Sequence, residues 1–308
     1  MDIKKNSATI ESAIIHEIIF FLLSKKVGSG IFVLSGLIAR EYAGPSTCIS
    51  WVIAGGAALL SGCCYAELSG RIPSSGSSYA YVYAAMGELP AVIAAACLSL
   101  EYLVSGSAVA RSWGDKMVVW LKSEFHMRQL VLNLLEPGFG FNTMAFLVSV
   151  VSLALLLKGV KESKNVTNIF TTTKVILVLY MIFGGAFYFR MDNLKPFFPP
   201  KFGVGGMMRG ATSSFFGYIG YDEVCCVAGE AIQPQKNMPK AVMLTIAIVT
   251  FLTVFASVSL VGMQPYFDIS STSGFPEGKS ICHFLNFLFI LLFIIYYFPI
   301  LLESFSIQ

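Results

Sequence analysis

Two glycine-bracketed stretches carry the chemistry this sequence can do. Gly28-Ser29-Gly30 opens the run Ile31-Phe32-Val33-Leu34-Ser35-Gly36, and Phe216-Gly217-Tyr218-Ile219-Gly220 sits inside a second apolar segment. Each glycine costs up to ~1 kcal/mol relative to alanine in a helix interior. In hydrocarbon the cost of unwinding is larger, because freed backbone groups find no water there. Such a break is tolerable where those groups line a cavity and bind something. A ligand carrying both charges would need donors for its anionic group and acceptors for its cationic one. Backbone N–H groups at the start of a half-helix over 31–40 supply the donors, aided by the positive helix end. Carbonyls of an unwound turn through Gly217 and Ile219 supply the acceptors, and the face of Phe216 suits a cationic side chain. A plainer reading stands beside each. Gly28, Ser29 and Gly30 also fit a close helix contact of the small-xxx-small kind, and Phe216 also fits simple packing.

Lys174, Glu101 and Asp222 are charges inside apolar segments. Lys174 falls about a third of the way into 166–189, roughly 12 Å along a helix rising 1.5 Å per residue. A buried lysine is expensive when charged and readily loses its proton, which makes it a proton-coupling candidate. Snorkelling to the interface is the competing reading. Glu101 lies near the middle of its segment, where an isolated carboxylate is protonated or paired. It could pair with Lys174, receive a cationic side chain, or bond to an unwound backbone. Asp222 follows the second glycine break and is expected to cap the half-helix after it.

These residues need a membrane fold to position them. The 308 residues are 56% apolar and 13% charged, with 18 acidic and 21 basic side chains and a mean hydropathy of +0.72. That is too few charges to solvate a soluble protein of this size, so a polytopic all-α membrane protein is expected. A span needs about 20 mostly apolar residues. The expected spans are 13–40, 46–68, 82–110, 143–160, 166–189, 211–230 and 240–264, with a last apolar run at 281–302. The first and sixth are interrupted by glycine; the third and fifth carry charge.

Other function classes find little support. The net charge of +3 is spread through short loops and does not point to nucleic acid. The seven cysteines lack metal-ligand spacing and read as small buried hydrophobes. The three histidines are scattered, and no enzyme constellation, metal site or cofactor motif is present. No small-residue cleavage site follows Ile14–Leu23. Ten Lys/Arg on the N-terminal side of the membrane against nine on the other leave orientation open.

Taken in order, the motifs resemble the cationic amino acid transporters of the amino acid–polyamine–organocation superfamily. The residues that carry the resemblance are Gly28 to Gly36, Ala43-Gly44-Pro45-Ser46, Cys64-Tyr65-Ala66-Glu67-Leu68 and Ile72 to Tyr81. Leu100-Glu101-Tyr102, Phe215 to Asp222, Gly229-Glu230 and Asn237-Met238-Pro239 complete the set. The resemblance implies a fold of two inverted five-helix repeats whose first and sixth helices are unwound at mid-membrane. It implies carboxylate contacts at Gly28, Ser29 and Gly30, and an aromatic gate at Phe216. Lys174 matches a fifth-helix lysine that, in proton-linked relatives, stands where sodium-coupled ones hold an ion.

The expected function is alternating-access transport of arginine, lysine or ornithine in the plasma membrane, or in a vacuolar or lysosomal one. The expected partners are the amino acid and the lipid bilayer, with oligomeric state open. A neutral amino acid or polyamine carrier, or a non-transporting sensor, is the alternative. Residues 27–276 form the expected transporter domain, comprising the first repeat and helices six and seven. Residues 1–26 lack the glycine-containing first half-helix of the family and place Lys25-Lys26 beside the expected cavity. Residues 277–308 are a divergent hydrophobic tail, so the fold is expected to be truncated after seven or eight helices.

Overall fold

A computed structural model describes residues 31, 34–125, 142–157, 164–218, 220–226, 228 and 233–269. The first glycine motif, the segment before it and the tail lie outside the described residues. Those that are described form helices and connecting turns, with no strand among them. The order is α1 (Ser35–Ile38), α2 (Thr47–Arg71), α3 (Ser77–Met86), α4 (Glu88–Phe125) and α5 (Thr143–Leu157). Then come α6 (Lys164–Phe187), α7 (Gly203–Phe215), α8 (Tyr221–Cys226) and α9 (Pro234–Met263). Three stretches are long and apolar enough to cross a membrane: Ser35–Arg71, Glu88–Asp115 and Pro234–Met263. Thr143–Ala154 and Thr172–Phe187 are shorter apolar helices. The protein is an all-α integral membrane protein.

The seam between α2 and α9 organises the bundle. Along α2, Trp51, Ala54, Gly55, Ala58, Gly62 and Ala66 are buried at spacings of three and four, so they share one helix face. Small side chains there let α9 approach until its Ile246 and Thr250 fill the grooves beside the glycines. A Cβ built on Gly62 would stand 2.5 Å from Ile246 Cδ1, and one on Gly55 2.5 Å from Thr250 Cγ2. With little hydrophobic drive between helices in lipid, such close packing is what holds them together. A second cluster joins Leu177, Val178 and Met181 of α6 to Leu252, Ala256 and Leu260 of α9, with Ile31 and Ala39 beside them.

Several boundaries differ from expectation. The third span is not one helix from 82: Gly87, at φ +91°, separates α3 from α4. That φ is open to glycine and strained for other residues, so the polar loop after α2 contains a helix of its own. The α4 helix then runs on through Arg111 to Phe125. Its Arg111 Nε lies 3.0 Å from Asp115 Oδ1, a pair that supports the helix one turn apart.

The sixth helix also starts early, at Gly203 rather than near 211. Its glycines serve contact rather than breakage. A Cβ on Gly206 would lie 2.3 Å from the Tyr42 carbonyl oxygen, and one on Gly210 2.8 Å from Ser50 Oγ. Ser50 Oγ donates to the Met207 carbonyl at 2.8 Å, fastening α7 to α2. Pro239, of the Asn237-Met238-Pro239 motif, lies one turn inside α9, where it removes only an early backbone bond.

The seam makes a discriminating stability prediction. Gly55→Val should cost about 1–3 kcal/mol through overpacking, while Gly56→Ala, with nothing within 4 Å of its Cβ, should be near neutral. Thermal unfolding of the two variants in detergent, against the parent, checks the contrast.

Candidate functional site

The helix carrying the second glycine motif is interrupted where the motif falls. The α7 helix ends at Phe215, Phe216–Tyr218 forms a single 3-10 turn, and α8 begins at Tyr221. Gly220 sits between them at φ +99°, a conformation that costs a glycine nothing and other residues a great deal. Phe216 and Gly217 are half-buried in this turn. Gly28, Ser29, Gly30 and Ile219 lie outside the described residues. Ile31, directly after the first motif, is 1% exposed and belongs to the cluster with Leu177 and Val178. Those two follow Lys174 by one turn on α6. The helix that carries Lys174 therefore packs against Ile31. Lys174 and Glu101 are each half-buried, on α6 and α4 respectively.

Tyr218 holds the turn in place. It is 1% exposed, and its hydroxyl donates to the Trp51 carbonyl at 3.1 Å and lies 3.1 Å from Thr253 Oγ1. Its ring meets Trp51 edge-on, with centroids 5.6 Å apart. A Cβ on Gly55 would stand 3.0 Å from the Tyr218 hydroxyl. The interruption is thus pinned to both α2 and α9.

Beyond the turn, Asp222 is buried in the first turn of α8. The Tyr102 hydroxyl donates to its Oδ2, and Ser77 Oγ donates to its backbone carbonyl at 2.9 Å. A carboxylate suits a helix start, and here it is also held from α4. Cys225, one turn on, reaches the Tyr65 carbonyl with its Sγ at 3.8 Å. Its packing is that of a small buried side chain, and among the described residues no group of three or more His, Cys, Asp or Glu is placed to hold a metal.

The amino acid permease family profile matches residues 16–307. The chain belongs to the amino acid permease family. Over 243 residues it is 38% identical to a methylthioribose transporter of Bacillus subtilis, covering 78% of this chain and 52% of that one. It is 34% identical over 252 residues to the vacuolar cationic amino acid transporter 4 of Arabidopsis thaliana, covering 79% and 42%. The branched-chain amino acid permease BcaP of Bacillus subtilis is 37% identical over 246 residues, covering 78% and 52%. The chain spans about half the length of these permeases.

Two residues at this turn are less visible in the sequence. Gly217 and Ile219 stand out for the backbone break and Phe216 for its ring, while Tyr218 between them is the anchor. A tyrosine in an apolar span must place its hydroxyl against a partner, and that was its available signal. Tyr102 stood next to the more conspicuous Glu101. Only the fold shows that it meets a carboxylate 120 residues away.

Tyr218→Phe keeps the ring and removes the hydroxyl. It should lower stability by about 1 kcal/mol, the net worth of one hydrogen bond, and loosen residues 216–220. Denaturant unfolding in detergent and amide exchange of that segment check this; unchanged exchange would remove Tyr218 as the anchor.

Proposed function

We infer that the chain is part of a secondary transporter for cationic amino acids such as arginine, lysine and ornithine, working by alternating access. The observation that carries this reading is the turn at Phe216–Gly220, held open between α7 and α8 by Tyr218. A break inside a membrane helix leaves carbonyls that favour an ammonium. In this reading the substrate carboxylate meets the backbone N–H groups of Gly28, Ser29 and Gly30. Its ammonium meets carbonyls at Gly217 and Ile219, and its cationic side chain lies against Phe216. Lys174 carries the coupled proton, with Glu101 as the second candidate for that role. The plasma membrane, or a vacuolar membrane like that named for one relative, is the proposed location.

Matches of equal coverage to a branched-chain amino acid permease and a methylthioribose transporter favour a second reading, a neutral substrate. Competition binding separates the two. Labelled arginine bound to the purified chain should be displaced by lysine and ornithine at least about tenfold more effectively than by leucine or methylthioribose, a difference of about 1.4 kcal/mol. Displacement in the reverse order would replace the cationic reading with the neutral one. Gly217→Leu, which fills the turn, should weaken arginine binding by a similar factor or more.

In this reading Lys174 takes up and releases the coupled proton, which makes arginine binding pH-dependent. Lys174→Ala should flatten that pH profile while leaving the folded yield intact. An unchanged profile would remove Lys174 from the coupling.

A further inference from the structure

The short helix α3 joins two membrane-crossing helices, so it lies at the membrane surface where α2 ends and α4 begins. Its two faces differ. Ser77 and Tyr81, one turn apart, are 4% and 3% exposed. They look inward: Ser77 Oγ donates to the Asp222 carbonyl, and the Tyr81 ring meets Tyr65 edge-on at 6.3 Å. Ser78 Oγ lies 2.6 Å from the Tyr65 hydroxyl. The opposite face carries Tyr79, Tyr83 and Met86, at positions i, i+4 and i+7, all exposed. Tyr79 and Tyr83 stack on each other at 6.1 Å.

An outward row of tyrosines and a methionine is a poor match for water and a good one for the headgroup–acyl boundary, where amphipathic rings collect. Beyond the break at Gly87, Leu89, Val92 and Ile93 of α4 are likewise exposed. At the same level the exposed pair Arg71–Glu67, 2.6 Å apart, closes α2 with charge. We propose that α3 is an interfacial lipid-contact helix, and that it transmits the depth and thickness of the bilayer to the broken sixth helix through the Ser77–Asp222 bond. The occupant of its outer face is phospholipid. A thicker or thinner bilayer shifts where the Tyr79–Tyr83 face settles, and the opposite face is fastened directly to the start of α8. This inference concerns the residues after the break and does not depend on which substrate the break binds.

Two measurements on the full chain in phosphatidylcholine liposomes test it. Tyr83→p-benzoylphenylalanine, photoactivated, should yield adducts on phospholipid, and the same substitution at the buried Tyr81 should yield adducts within the protein. Cross-links from position 83 to protein alone would overturn the lipid contact. Amide exchange of residues 220–226 should differ by at least about threefold between short-chain and long-chain lipids. Ser77→Gly keeps the left-handed backbone, at φ 43°, and removes the hydroxyl, so it should abolish that difference. Exchange insensitive to lipid length in the parent, or a difference that survives in Ser77→Gly, would overturn the coupling.

Discussion

A backbone group released inside a bilayer must find a partner in the protein, because the lipid offers none. The turn at Phe216–Gly220 releases several. The remainder of the described structure is arranged so that this turn can exist without the helix closing or the bundle opening. Tyr218 does most of that work by placing a hydroxyl against the Trp51 carbonyl and Thr253 Oγ1, while Gly220 takes a φ of +99° that admits the change of direction.

The clamp depends in turn on the α2–α9 seam. Trp51 and Thr253 reach the same tyrosine only because small residues let the two helices approach. Gly55 touches Thr250 and Tyr218 together, so packing and polar anchoring meet at one position. Asp222 extends the arrangement past the break, tied by its carboxylate to Tyr102 and by its carbonyl to Ser77. Helices α2, α3, α4 and α9 therefore all hold the short α7–turn–α8 unit. A unit held from several sides by few bonds is suited to having more than one arrangement.

Much of this was legible in the sequence. Hydropathy placed the spans expected at 46–68, 143–160 and 166–189 close to α2, α5 and α6, and the glycines of 216–220 marked the one described helix that breaks at a motif. The misreadings share a cause: glycine means different things in different surroundings. Gly87 ends a helix through a positive φ, whereas Gly206 and Gly210 sit inside α7 because the Tyr42 carbonyl and Ser50 come too close for a side chain. Nothing local distinguishes the two uses. Tyr102 and Tyr218 were hidden for a related reason, since their partners are distant in sequence. The family was carried by the order of many short motifs, no one of which would have sufficed.

The central claim is that the broken sixth helix is a binding half-site for an amino acid. Amide exchange of residues 216–221, measured on the purified chain with and without L-arginine, tests it most directly. The account predicts protection that is confined to that turn, rises with arginine concentration and is lost in Gly217→Leu. Arginine binding that leaves exchange at the turn unchanged would contradict it.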